Sequence, residues 1–350
     1  MEVTVTTVRS TAERERLAEF RYRIYVEELG MTPPAADRRR RRLWDEQDEV
    51  STSFVLVQED GEILGSLRLT HLDDVQDPRP FERKFELAPA LAHFGSTAVV
   101  MTSRFIVDKR VQHGRRIFEL MESCFDAAVA RGAKLNYGDC SPVLLPFYEH
   151  MGYRRYARTY NDPAYGFKYP ILMLLADGEQ FRRVRSPLLR AASKYPREPE
   201  LGAWFESMYP DYVECPTASL LPPGRFRKRI GDLPLFTGMS EEEADQLLAK
   251  ATLIHVWPGD CVLRAGARGN ALFVVLAGQV ALRNDVSGAV TILGRNGAFG
   301  ELGRRRLPPF GRSVVALSDC DLLVLSSEYV ERTAAKHPEL MAIFALYRRN

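Results

Sequence analysis

Carboxylates and guanidinium groups supply most of the chemistry open to this chain. Asp45-Glu46-Gln47-Asp48 packs three carboxylates into one short run, and a carboxylate either takes a proton from a bound group or pairs with a cation. Arg104 lies in the otherwise apolar stretch Val99–Val107. An unpaired charge there is costly, so a partner or a ligand is expected beside it. Arg21 and Arg68 offer the same fork, which suits carboxylates and phosphates. Bland readings stand next to these: residues 45–49 also fit a solvated acidic turn, Arg68 a strand-end ion pair, and Tyr148 a packed ring. The basic run Arg38–Arg42 suits either a solubilising loop or a docking patch for an acidic partner.

Other chemistries find little support. Cys124, Cys140, Cys215, Cys261 and Cys320 are odd in number and form no CxxC, against both a disulfide framework and a cysteine zinc site. The histidines are scattered, so no metal is expected, and His113 beside Gly114 reads as a loop residue. No GxSxG elbow is present, and no cysteine has the setting of a nucleophile.

The elements that must position these groups fall into two grammars. In residues 1–175 strand and helix signals alternate. Val3–Val8 has the alternation of a half-buried strand, and Ser10 caps a helix predicted over 12–29. Phe54–Gln58 and Ile63–Thr70 flank an Asp-Gly turn as a hairpin. Val99–Val107 is a strand, and Ile117–Arg131 is an amphipathic helix closed by Gly132. Leu135–Tyr137 is a short strand and Val143–Met151 a short helix. Residues 176–230 are rich in proline and read as a partly helical connector, with helices at 186–194 and 201–209. From 231 to 350 short strands recur between glycine turns, as in a jelly-roll-like β-barrel with flanking helices.

Lys and Arg number 48 against 46 Asp and Glu, a net charge of +2, too little for general attraction to polyanions. No apolar run is long enough for a membrane span, and the first residues lack a secretory pattern. A cytoplasmic protein is expected.

The second half resembles the cyclic nucleotide-binding domain family. The landmarks are Pro258-Gly259-Asp260, Gly266, Phe273-Val274-Val275-Leu276, Gly278 and above all Phe299-Gly300-Glu301-Leu302. The resemblance implies that Gly300 and Leu302 amides face a cyclic phosphate and that Glu301 accepts from the ribose hydroxyl, with cyclic AMP or cyclic GMP as regulator. The family's phosphate arginine falls on Phe310 here, and Arg312 is the nearest substitute, two positions on and on the same strand face. Loss of that bidentate contact costs about 1.5–3 kcal/mol. A barrel kept only for packing or homodimer formation fits the same residues. Too few residues follow Pro338 for a helix-turn-helix reader, so DNA is not an expected partner.

The first half resembles the GNAT acyltransferases, most of all the acyl-homoserine lactone synthases and N-acyl amino acid synthases. Arg21…Tyr25, Asp45-Glu46-Gln47-Asp48, Gly65-Ser66-Leu67-Arg68-Leu69, Ser103-Arg104-Phe105-Ile106-Val107-Asp108 and Tyr148-Glu149-His150-Met151-Gly152-Tyr153 carry the likeness. Met101 stands where the lactone synthases have a glutamate and Met31 where they have a tryptophan, and both departures favour the N-acyl amino acid branch. The pyrophosphate loop at Val111-Gln112-His113-Gly114 departs from the usual pattern, which favours a carrier-protein donor. The resemblance implies transfer of a long acyl group from acyl carrier protein or acyl-CoA to the amine of a small molecule. Asp45, Asp48, Arg104 and Tyr148 then take catalytic roles. Arg21, Arg68 and the strand Phe105-Ile106-Val107 bind substrate and oxyanion. A nucleotide-regulated lysine acetyltransferase and a non-enzymatic sensor remain as alternatives, since fold does not prove catalysis.

Overall fold

The computed structural model describes residues 3–111, 115–213, 233, 236, 239–266, 271–300, 311–326, 329, 330 and 333. By packing, the chain divides into two units. The first comprises residues 1–139, 147–157 and 170–215; the second comprises 140–146, 158–169 and 216–350.

The first unit is mixed α/β. Its strands are β1 (Val3–Thr7), the two-residue pair β2 (Ala36–Asp37) and β3 (Arg42–Leu43), β4 (Thr52–Gln58), β5 (Ile63–His71), β6 (Val99–Val107), β7 (Leu135–Cys140) and β8 (Arg154–Arg155). With β9 (Tyr160–Asp162) and β10 (Gly166–Leu174), the main sheet runs β1-β4-β5-β6-β7-β10-β8. Helix α1 (Thr11–Tyr22) begins at a reciprocal cap, in which Ser10 Oγ accepts from Glu13 N–H and Glu13 Oε2 accepts from Ser10 N–H. The helix predicted over 12–29 does not stay α. Arg23–Glu28 form a π turn, and its wider ladder buries the adjacent residues Ile24 and Tyr25.

Helix α4 (Arg116–Ala130) buries Ile117, Leu120, Met121, Cys124, Phe125 and Ala128, the stripe that its sequence spacing predicts, against β1, β4 and β5. Two further helices, α2 (Arg79–Lys84) and α3 (Ala88–Phe94), were not legible in the sequence, being short and lacking a side-chain cap. Phe81, Phe85 and Leu87 sit in one apolar core with Val99, Met101, Leu135, Tyr137 and Leu172.

The proline-rich stretch is packed structure. After α5 (Leu145–Met151) come α6 (Gly178–Arg183), α7 (Leu189–Ala192), α8 (Pro199–Met208) and α9 (Pro210–Val213). Leu201, Trp204, Phe205 and Tyr209 bury in the same core as Met101. The boundary between units therefore falls after Cys215, inside the stretch read as a connector at 176–230.

Two departures from regular pairing shape the centre of the sheet. Ser66 pairs with Ile106 and Arg68 with Ser103, so Leu67 faces both Arg104 and Phe105 across a bulge. Arg104 sits there at φ 56°, and Ser66 Oγ holds its carbonyl at 3.0 Å. Next to the bulge, β6 and β7 pair in parallel only at Val99↔Leu135, Val100↔Asn136 and Met101↔Tyr137, after which they part.

In the second unit the expected barrel strands form two four-stranded antiparallel sheets. The strands are β11 (Thr252–Val256), β12 (Cys261–Leu263), β13 (Ala271–Ala277), β14 (Val280–Arg283), β15 (Val290–Leu293), β16 (Ala298–Gly300), β17 (Ser313–Ala316) and β18 (Cys320–Ser326). Their orders are β11-β18-β13-β16 and β12-β17-β14-β15. Helix Glu241–Leu248 adds Leu247 and Leu248 to a core of Leu253, Leu272, Val274, Leu276, Leu323 and Leu325. The helix expected near the C-terminus falls mostly outside the described residues.

Gly278 turns β13 into β14 at φ 81°, and a Cβ there would lie 2.2 Å from the Asp319 carbonyl oxygen. Gly278→Ala should destabilise the second unit by about 1–3 kcal/mol. Hydrogen exchange read by mass spectrometry checks this: peptides of the second unit exchange faster in the variant, and those of the first unit do not.

Candidate active site

Three arginines and two aspartates from separate elements meet on one side of the first unit's sheet. The acidic run folds as a single 3-10 turn, Glu46–Glu49, because its two aspartates cap each other. Asp45 Oδ1 accepts from Gln47 N–H at 3.1 Å, and Asp48 Oδ2 accepts from Asp45 N–H at 2.9 Å. The free sides of both carboxylates then face cations. Asp48 Oδ1 receives Arg21 Nη1 at 2.6 Å and Arg68 Nη1 at 3.0 Å. Asp45 Oδ1 receives Arg68 Nη1 at 2.5 Å, and Asp45 Oδ2 pairs with Arg104.

The arginines differ in what remains open. Arg21 is fully buried, with Nη2 donating to Ser53 Oγ at 3.0 Å and the guanidinium 5.8 Å from the Trp44 ring. Arg68 donates also to Gln47 Oε1 at 2.7 Å and Ser103 Oγ at 3.0 Å. Arg104 lies 5.5 Å from the Tyr25 ring, and its side chain keeps 11% exposure against 0% for Arg21 and 3% for Arg68. Of the three, Arg104 faces the open side.

Electrostatics follow from this packing. Burial works against the charge on Asp45, but Arg68 and Arg104 outweigh it and hold the carboxyl at about 2. Burial pushes the Arg21 guanidinium down, and Asp48 acts against that push. Burial also raises the Tyr25 phenol, against the pull of Arg104, Arg21 and Arg68.

The strand Phe105-Ile106-Val107 leaves the bulge with Ile106 buried and its neighbours half-buried. The Phe105 ring stacks on Phe147 at 5.5 Å and meets Tyr148 edge-on at 6.2 Å. Tyr148, on α5, packs edge-on against Tyr153 at 5.3 Å. Met101, where the lactone synthases have a glutamate, is 2% exposed within the apolar core.

Asp139 belongs to this region and escaped the sequence reading. It stands two residues past the last β6–β7 pair, and its Oδ2 lies 2.8 Å from Lys84 Nζ. Its sequence signal was modest: a charged residue after Gly138 at the end of a buried strand. In the basic run, Arg40, Arg41 and Arg42 pair with Asp37, Glu27 and Glu15, and residues 38–41 are exposed. Beside them lies a cleft of 470 Å³ lined by Arg16, Arg23, Glu27, Arg40, Arg41 and Glu62.

In the second unit, Gly300 ends β16 at φ 120°, and a Cβ there would lie 2.3 Å from the Ala271 carbonyl oxygen. Arg312 precedes β17 and is half-buried. Glu301, Leu302 and Phe310 lie outside the described residues, as do His113 and Gly114. Among the described residues no group of His, Cys, Asp and Glu is placed to hold a metal ion, and no helix is long and apolar enough to cross a membrane.

Comparison with known proteins agrees with this division. Residues 16–177 match the family described as N-acyl amino acid synthase FeeM, and residues 253–337 match the cyclic nucleotide-binding domain. The chain thus carries an N-acyltransferase domain of the N-acyl amino acid synthase type, followed by a domain of the cyclic nucleotide-binding type. Among solved structures it is similar to TofI in a ternary complex with an inhibitor and MTA, at 18% identity and TM-score 0.40, covering 55% of this chain and 100% of that one. It is also similar to the Thermus thermophilus catabolite activator protein, at 29% identity and TM-score 0.29; the match covers 33% of this chain and 57% of that protein. No curated protein matches the chain by sequence.

A carboxyl lowered by its partners stabilises the fold above its unfolded value and stops doing so as pH falls through the folded one. Asp45 should therefore contribute about 2 kcal/mol near neutrality, lost between pH 4 and pH 2. Urea unfolding of the wild type and Asp45→Asn at pH 7 and pH 3 checks this. The gap between the two proteins should narrow at the lower pH, and an unchanged gap would contradict the ion pairs.

Proposed function

We propose that the first unit joins a long acyl group, carried as a thioester, to the amine of an amino acid. The observation that carries this reading is the placement of Arg104. It sits on a bulge beside the parting of β6 and β7, with 11% of its side chain exposed and its charge held by Asp45. A guanidinium suits the acceptor's carboxylate. Beyond Met101 the β6 edge makes no ladder with β7. Backbone N–H groups of Phe105–Val107 are then our choice of oxyanion donors, and such donors are worth about 3–4 kcal/mol each where they have been deleted.

The reaction forms a C–N bond and breaks a C–S bond. The acceptor ammonium loses two protons in all: one goes to the leaving thiolate, for which Tyr148 is the proposed relay, and one goes to solvent. Asp45 and Asp48 act by holding the arginines, since their oxygens are occupied by cations and backbone donors. Arg21 and Arg68 set the geometry of the acidic turn, and Arg104 meets substrate. The exposed run Arg38–Arg41 supports an acidic carrier protein as donor in preference to free acyl-CoA; the cleft beside it mixes four arginines with Glu19, Glu27 and Glu62.

For the second unit we propose a cyclic nucleotide as ligand, with Gly300, Glu301, Leu302 and Arg312 as the residues that would hold it. Cyclic AMP or cyclic GMP should raise the melting temperature, and Glu301→Ala should remove the shift. No shift at millimolar nucleotide would leave this unit a packing module.

Mass spectrometry of lipid extracts tests the reaction itself. Bacteria expressing the wild type should contain an acylated amino acid that is reduced at least about a hundredfold with Arg104→Ala, the loss expected when a charged substrate contact is removed. Identical extracts with both proteins folded would overturn the reading.

A further inference from the structure

Amide formation needs a base, because an amino acid's amine is protonated near neutrality. The two aspartates of the acidic turn are poorly suited to that work. Asp45 has one oxygen on Arg68 and Gln47 N–H and the other on Arg104, and its carboxyl lies at about 2. Asp48, 1% exposed, divides its oxygens between two guanidinium groups and a backbone N–H. Proton acceptance grows with basicity, and these partners are arranged to suppress it.

On the other lip of the parting strands stands Asp139. The last β6–β7 pair is Met101↔Tyr137. Gly138 follows, and its missing side chain leaves room for the Thr102 carbonyl oxygen, 3.2 Å from where a Cβ would be. Asp139 is therefore the first side chain on β7 beyond the point where the strands separate, 18% exposed. Lys84 Nζ at 2.8 Å demonstrates that an ammonium fits against this carboxylate. Tyr25, whose ring lies under Arg104, also feels the charge of Asp139. Arg104 on β6 and Asp139 on β7, both beyond the last paired residues, thus carry opposite charges on the two strands of the split, as a zwitterion would need.

We propose that Asp139 binds the acceptor's ammonium and is the base of the acyl transfer, while Arg104 holds the same molecule's carboxylate. This rests on the amino acid acyltransferase reading above. The Asp139 carboxylate takes one proton from the ammonium, freeing the nitrogen lone pair to attack the thioester carbonyl carbon. As the C–N bond forms and the C–S bond breaks, the sulfur leaves as thiolate and takes a second proton from nitrogen. Asp139 then returns its proton to solvent.

The test uses the full chain with hexadecanoyl-carrier protein and a mixture of amino acids, following thiol release and acylated product. Asp139→Asn should lower kcat by about 10²–10⁴ at pH 7, the range for loss of a general base. The deficit should shrink as pH rises and free amine accumulates. Lys84 of α2 pairs directly with Asp139, and the Asp139 charge also acts on Tyr25 of the π turn and Tyr156 after β8. Lys84 stands outside the proposed machinery. Lys84→Ala, which breaks the same ion pair but spares the base, should keep kcat within about fivefold, the worth of a half-exposed pair. Equal losses in Asp139→Asn and Lys84→Ala would mean a structural pair and overturn the proposal. So would full activity in Asp139→Asn beside an inactive Arg104→Ala, leaving the acyltransferase reading intact. No product from the wild type would overturn both.

Discussion

The centre of the first unit depends on a reciprocal arrangement in which two carboxylates hold three guanidinium groups largely out of water, leaving a surplus positive charge. A lone buried arginine is prohibitively costly, and removing one partner from such a pair typically costs about 3–5 kcal/mol. Arg21, fully buried, survives because Asp48 and Ser53 receive its terminal nitrogens. Asp48 in turn keeps its place because it also caps the turn that presents Asp45. The 3-10 turn, the end of α1, the edge of β5 and the bulge of β6 are therefore coupled through one set of charges. Such networks are rarely better for stability than an apolar core; what they fix is position.

Position matters most at β6, which does two incompatible things at once. Its first half must pair with β7 to close the sheet; its second half must leave β7 to open a space. The switch is made by local means. The bulge at Arg104–Phe105 absorbs an extra residue of β6 opposite Leu67 of β5, Ser66 pins the Arg104 carbonyl, and Gly138 leaves room for the Thr102 carbonyl where the pairing with β7 ends. A positive φ at a non-glycine residue is a strain of about 1–3 kcal/mol. Here it falls on the arginine whose charge is paired and whose ring neighbour, Tyr25, is supplied by an equally irregular π turn. Two irregularities from distant parts of the chain meet at Arg104.

Much of this was legible in the residues, and what was not had physical causes. Periodicity located Val99–Val107 and the stripe of α4 because each is long and one-sided. It missed α2, α3, β10 and β16, which are short, weakly capped or apolar on both faces. The helix over 12–29 was read as uniform because a π turn leaves no composition signal. In the stretch read as a partly helical connector at 176–230, the helix expected over 201–209 forms at Pro199–Met208, and Leu201, Trp204, Phe205 and Tyr209 bury in the core, which proline density alone did not signal. At the site, residue types and motif order picked out Asp45, Asp48, Arg21, Arg68 and Arg104 as a group. Spacing along the chain gave no account of which carboxylate pairs with which arginine, so base and scaffold were not separated. Asp139 went unnoticed since nothing in its neighbours marks the place where two strands diverge.

Gly300 shows why a motif and a function must be argued apart. In the cyclic nucleotide-binding family this glycine is read as a place for the phosphate to approach. In this chain its φ of 120° and the Ala271 carbonyl 2.3 Å from a would-be Cβ already demand glycine, with or without a ligand. The landmark is thus explained by the pairing of β16 with β13. The weight of the ligand question moves to side chains that the backbone does not require, such as Arg312, a half-buried cation just before β17. A side chain that the fold would replace without penalty is the better witness to binding.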